Sequence, residues 1–233
     1  MDTNLLITGL LWYVAFLFST TCHEAAHAWA AHRGGDDTAY AGGQVTLDPM
    51  PHIRRETFGM VIMPWLTFLT GGWMMGWASA PYNPYWARAY PRRAAWMALA
   101  GPAANFAIVI VVSVLIQVGI RAGLLQLPER VLLDGIVKAT TGGAMEGVAA
   151  LLSVLFSLNL LLGTFNLMPF PPLDGFGVLG LFLPDSAIHK LMNFRDSLGA
   201  MTMIGLLVAW KVFDYVYDPV MMTGLRMLYS PQL

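Results

Sequence analysis

Charge is what this sequence has least of: Asp, Glu, Lys and Arg make up 12% of 233 residues, 13 basic against 14 acidic, for a net charge of −1. No Lys- or Arg-rich cluster and no nucleic-acid motif is present, so composition gives no reason to invoke nucleic acid as a partner. No basic residue precedes Arg33. The first apolar stretch therefore lacks the basic region of a cleavable signal peptide and runs straight into ionisable side chains, so it is expected to stay in the mature protein. The single cysteine, Cys22, excludes an intrachain disulfide and says little about compartment.

Apolar side chains fill the space that charge leaves. The chain is 57% hydrophobic with a mean hydropathy of +0.59, more than a soluble domain of this size ordinarily tolerates. Uncharged runs extend over 4–22, 57–87, 94–120, 147–173 and 197–210. A spanning helix needs about 20 mainly apolar residues, so the first four are long enough to cross a bilayer and the fifth is marginal.

The first run ends in "TTCHEAAHAWAAH", residues 20–32. His23-Glu24-Ala25-Ala26-His27 is an HExxH pattern, and on a helix residues four apart lie one turn above each other on the same face. Two imidazoles so placed can share a metal ion. Glu24 lies beside them, able to reach a water on that metal without ligating it. An ionisable group inside a transmembrane segment costs about 2.5–3.5 kcal/mol on insertion scales, which argues against decoration. The competing reading ends the helix near Cys22 and leaves these side chains in the headgroup layer.

A catalytic zinc takes three protein ligands and keeps a fourth position for water. The outstanding candidate for the third is Asp174, the first charge after Glu146, in "FNLMPFPPLDG". Pro169, Pro171 and Pro172 forbid a regular helix there. Irregular backbone at membrane depth is tolerated where it is buried in protein or lines a wet cavity. Read alone, "PPLDG" is a surface turn; beside HExxH it reads as a ligand loop.

Three motifs in this order, HExxH at 23–27, "AGPAAN" at 100–105 and "NLMPFPPLDG" at 166–175, resemble the site-2 protease family of intramembrane zinc metalloproteases. Together they frame most of residues 4–183. The resemblance implies one zinc per chain held by His23, His27 and Asp174, with Glu24 as general base. It further implies that Asn105 and Asn166 hold the substrate backbone or polarise its carbonyl; the plain alternative for each is a cap or packing hydrogen bond. Neither a PDZ domain nor a CBS module fits in the chain, so it resembles a minimal bacterial-type member, with Phe176 where a second glycine often follows Asp-Gly. Family members commonly release membrane-tethered regulators or clear signal-peptide remnants.

The ligands constrain topology. His23 and His27 lie near the end of one helix and Asp174 just past the end of another, so both helices must run in the same direction for one metal to bind all three. An odd number of the two intervening runs must cross. The sequence predicts that 94–120 spans, whereas 57–87, interrupted by Pro64, Gly71, Gly72, Pro81 and Pro84, enters and returns. The alternative, an ordinary crossing by 57–87, sends Asp174 to the wrong side. Arg33, Arg54, Arg55, Arg88, Arg92, Arg93, Lys190 and Arg195 share one side, eight of thirteen basic residues. The positive-inside rule then puts the HExxH end toward the cytoplasm.

The expected fold is thus an all-α polytopic membrane protein, one intramembrane metalloprotease domain over 1–233. It has about four transmembrane helices (4–32, 94–120, 147–166 and a C-terminal helix 197–217), a re-entrant segment 57–87 and a Pro-rich Asp-Gly segment 167–183. Residues 39–49, with alternating Gln44-Val45-Thr46-Leu47, read as a short β-hairpin or edge strand able to pair with an extended peptide, or as a plain connecting loop. Within the connecting segment 121–146, residues 128–146 read as an amphipathic helix with a glycine hinge. His32, His52 and His189 sit in polar loops and read as solvated.

The expected activity is zinc-dependent endopeptidase cleavage of membrane-embedded substrate helices, with a zinc-bound water as nucleophile and Glu24 as general base. The expected partners are transmembrane protein or peptide substrates and the lipid bilayer, in a bacterial cell membrane. A metal-ion transporter and an inactive membrane scaffold are the rival classes. A transporter should carry further ionisable residues on several helices, and 94–120 has none; an inactive scaffold would often lack Glu24 or a ligand, and all are present.

Overall fold

A computed structural model describes residues 3–230. Helix α1 (Thr3–Arg33) is followed by short helices α2 (Thr38–Ala41) and α3 (Pro49–Arg55), and then by a π-helical turn at Phe58–Ile62 that continues into α4 (Met63–Gly71). Next come α5 (Pro84–Ala89) and the long α6 (Pro91–Arg121), then strands β1 (Leu125–Gln126) and β2 (Lys138–Ala139), and α7 (Ala144–Asn166). Helices α8 (Asp174–Val178), α9 (Asp185–Leu198) and α10 (Thr202–Tyr229) complete the chain. Four helical stretches, Leu5–Arg33, Pro91–Arg121, Ala144–Asn166 and one within Asp185–Tyr229, are long and apolar enough to cross a membrane.

The distribution of side chains is that of a protein solvated by hydrocarbon. Ile7, Leu10 and Val14 on α1, Ile110, Val111 and Val114 on α6 and Leu207 on α10 all point outward, while Ser19, Asn105, Ser153, Ser157 and Asn159 are fully enclosed. In water such an apolar exterior would be a liability. In lipid it needs no cover, and the polar groups must find partners inside. The chain is an integral membrane protein.

Helices α1, α6 and α7 form the centre. His23 meets Asn105 and His27 meets Met97, so α1 and α6 are antiparallel. Trp12 and Phe16 pack with Val154 and Leu158, and Ser19, further along α1, meets Asn159, further along α7. The two helices therefore run in the same direction, as a shared metal requires.

Between them, residues 58–71 span about 21 Å at 1.5 Å per residue, short of the roughly 30 Å hydrocarbon core. Gly72 closes α4 in the left-handed region (φ 77°), its N–H donating to Phe68 O at 2.8 Å. The chain then doubles back. Met75 N–H donates to Thr67 Oγ1 at 2.9 Å and Trp77 N–H to Gly59 O at 3.2 Å, returning the chain to its point of entry. Only glycine fits at Gly76, where a Cβ would meet Gly59 O and lie 2.7 Å from Phe16 Cζ.

Four local expectations are corrected. Residues 39–49 form no hairpin; they comprise the end of α2 and a series of bends. Side chains satisfy this stretch where a ladder is absent: Thr38 N–H donates to Asp36 Oδ1, Gln44 Nε2 donates to Ser79 O, and Asp48 caps α3. The two-stranded hairpin lies instead at β1 and β2, within the connecting segment 121–146, with β2 falling in the stretch read as amphipathic helix. There Ile136 and Val137 N–H donate to Ser153 Oγ at 3.0 and 3.2 Å, so α7 supplies the partners that helical turns would have supplied. His52 is not solvated. It is fully enclosed, with Nε2 3.3 Å from Thr46 O, whereas His32 pairs with Asp37 and His189 is exposed. The C-terminal helix also runs to Tyr229 rather than 217, and Pro219 lies within it.

Candidate metal centre

The HExxH motif lies well inside the 31-residue α1, which continues unbroken past Cys22 to Arg33. His23, Glu24 and His27 are each about 5–6% exposed. Helical spacing brings the imidazoles together, with His23 Nε2 and His27 Nε2 3.0 Å apart.

Asp174 reaches them because the chain after Asn166 cannot continue as helix. The proline-rich turn closes through Leu173 N–H donating to Phe170 O at 2.9 Å, and Asp174 opens α8. Gly175 makes the turn possible: a Cβ there would lie 2.5 Å from Met168 O and nearer still to Leu167 O. Helix α10 braces the loop from outside, with Ala209 and Phe213 over Met168 and Leu173, and Gly205 against Pro171 O. On its inner side Gly177 and Gly180 rest on Ala98 and Ala95 of α6, allowing close approach. Phe176, in place of the second glycine, is buried.

Asp174 Oδ2 lies 3.1 Å from His23 Nε2 and 3.2 Å from His27 Nε2. These three residues form the one candidate metal-binding group among the described residues. Tetrahedral ligands about 2.0–2.1 Å from zinc are separated by about 3.3 Å, close to the observed triangle. The donor chemistry fits as well. His27 Nδ1 donates to Met97 O at 2.7 Å, which leaves its Nε2 as a lone pair facing a carboxylate oxygen and a second imidazole. Gly101 keeps the adjoining space free, since a Cβ there would lie 2.6 Å from His23 Nε2 and closer to His27 Nε2.

Glu24 is buried, and its carboxylate makes no hydrogen bond or ion pair to another described residue, so its oxygens are uncommitted. Asn105 is fully enclosed with both ends of its amide engaged: Oδ1 lies 2.6 Å from His23 Nδ1, and Nδ2 donates to Asn159 Oδ1 at 2.8 Å. Asn166, half-buried, ends α7 just before the proline-rich turn. The sequence reading missed Asn159 and Ser19, which extend the polar cluster behind His23. A search for charges passes over neutral groups. An Asn in the middle of the apolar run 147–166 was the available signal.

Residues 11–210 match the profile of Peptidase family M50. YwhC of Bacillus subtilis (strain 168), which carries a provisional zinc-metalloprotease designation, is 28% identical over 212 residues, 91% of this chain and 85% of the relative. Rip2 of Mycobacterium tuberculosis, with the same designation, is 31% identical over 166 residues, 70% of this chain and 54% of that protein. No solved structure matches. The profile covers most of the chain, from the first helix into the last, and the chain belongs to peptidase family M50.

Proposed function

We propose that this protein is a zinc-dependent intramembrane endopeptidase that cuts membrane-embedded substrate helices. The observation that carries the reading is the convergence of His23, His27 and Asp174 with an uncommitted, buried Glu24 beside them. Zinc bound there supplies Lewis acidity and lowers the pKa of a coordinated water to about 7. Glu24 accepts the proton of the attacking water and returns it to the leaving amine nitrogen. His27, fixed by the Met97 carbonyl, and Asp174, fixed by its turn, hold the ligand triangle while this happens. Asn166 offers an amide to the substrate backbone, while Asn105, engaged at both ends, serves the ligands instead. A substrate helix hides its scissile carbonyl in hydrogen bonds, so helix-breaking residues near the cut are the expected preference.

Four helices cross the membrane in this reading, and 57–87 enters and returns. The basic end of the molecule, where Arg88 pairs with Asp196 and Arg92 with Asp185, faces the cytoplasm of a bacterial cell. The test is a reconstituted cleavage assay on a transmembrane segment containing a Gly-Pro or Asn-Pro break. Wild type is expected to release a fragment cut within the segment, with cleavage by Glu24→Gln slowed by about 10²–10⁴. Cleavage by that variant at the wild-type rate overturns the assignment.

A further inference from the structure

Behind His23 a line of fully enclosed polar side chains crosses the centre of the molecule: Asn105 on α6, Asn159 on α7 and Ser19 on α1. Two backbone carbonyls fix its polarity, because a carbonyl can only accept. Ser19 Oγ lies 2.6 Å from Ala15 O and therefore donates to it. Asn159 Nδ2 lies 2.8 Å from Leu155 O and 2.8 Å from Ser19 Oγ, so the NH2 end of that amide points toward both. Asn159 Oδ1 must then face Asn105, 2.8 Å away, and accept from Nδ2 of that residue. The Asn105 carbonyl oxygen is thereby turned to His23, 2.6 Å from Nδ1, and Nδ1 must carry the proton. A neutral imidazole protonated at Nδ1 presents a lone pair at Nε2, the atom that faces His27 and Asp174.

We infer that Asn159, held by Leu155 O and Ser19, sets the amide orientation of Asn105 and through it the tautomer of His23 that can ligate metal. Asn159 and Ser19 are positioning residues: neither is in direct contact with the ligand triangle, and both act through Asn105. The inference rests on the reading of His23 as a zinc ligand. Without Asn159 the NH2 of Asn105 keeps only its long 3.5 Å contact to Ser19 O, so the amide can turn that NH2 toward His23, which favours the tautomer with its proton on Nε2. That tautomer cannot bind metal until the proton moves. Outer hydrogen bonds of this kind typically account for about 10- to 100-fold in metal affinity.

The test is zinc affinity by chelator competition on the purified full-length protein, for wild type, Asn159→Leu, Asn105→Ala, the double variant and Ser19→Ala. Asn159→Leu is expected to weaken zinc about 10- to 100-fold, and the double variant no more than Asn105→Ala alone, since both break one path. Ser19→Ala, the smallest change, is expected to weaken zinc several-fold and carries the test if Asn159→Leu fails to fold. Cobalt-substituted Asn159→Leu should show an altered d–d spectrum. Additive losses in the double variant, or wild-type affinity in Ser19→Ala and Asn159→Leu, overturn the inference while leaving the zinc centre intact. Wild-type protein that binds no zinc overturns the zinc reading itself, and the inference falls with it.

Discussion

Gly101→Ala separates the metal centre from the stability of its scaffold. The added Cβ would lie 2.6 Å from His23 Nε2 and closer to His27 Nε2, where ordinary contact begins near 3.4 Å, so the rings or the helix must give way by at least about 0.8 Å. A metal site tolerates ligand displacements of only about 0.2 Å. Two ligands would be displaced together, so the loss of zinc affinity should exceed the upper end of outer-sphere effects, more than about 100-fold, or about 2.7 kcal/mol. The gain in helix propensity of Ala over Gly, about 0.8–1.0 kcal/mol, offsets part of the roughly 1–3 kcal/mol overpacking cost, so stability should change less than zinc affinity. Zinc titration beside a thermal-unfolding series in detergent reads both effects. The matched control is Gly147→Ala in α7, where a Cβ meets nothing within 4 Å. A Gly101→Ala protein with wild-type zinc affinity and activity would refute the proposed packing of α6 against the ligands.

Other consequences follow from the same geometry. Glu24→Gln keeps its two neighbouring ligands and should retain zinc while kcat falls by about 10²–10⁴, the usual contribution of a positioned general base; metal analysis and turnover measured on one preparation check this. Gly175→Ala forces a Cβ against the backbone of Leu167 and Met168. It should lower thermal stability by about 1–3 kcal/mol, the range for overpacking, and weaken zinc because Asp174 is carried on that turn. With Cys22 replaced by Ser, cysteines introduced at Arg33 and Arg92 should label from the same side of sealed vesicles, since the end of α1 and the start of α6 lie together. Labelling from opposite sides would mean that 57–87 crosses the membrane.

The cluster of His23, His27 and Asp174 was legible in the sequence as a candidate metal site because ionisable groups are conspicuous in a chain that is 57% hydrophobic. HExxH fixes its own geometry through helical spacing, and Pro169, Pro171 and Pro172 announce a break beside Asp174. The folding back of 57–87 was also readable, from its glycines and prolines. The hairpins were not. Gln44-Val45-Thr46-Leu47 has a strand pattern but no partner strand, and side chains such as Gln44 and Asp48 take over its hydrogen bonding. Residues 136–137 are held by Ser153 of the following helix, a tertiary partner that no local pattern encodes. The contacts of Asn159 escaped for the same reason, since Asn105 and Ser19 are remote from it in sequence.

The measurement that bears most directly on the metal centre is zinc content of the purified protein by elemental analysis, wild type beside Asp174→Ala. About one zinc per chain in wild type, with clear loss in the variant while it remains folded, is the predicted result. Zinc absent from folded wild type, or retained in full without Asp174, would contradict the three-ligand centre.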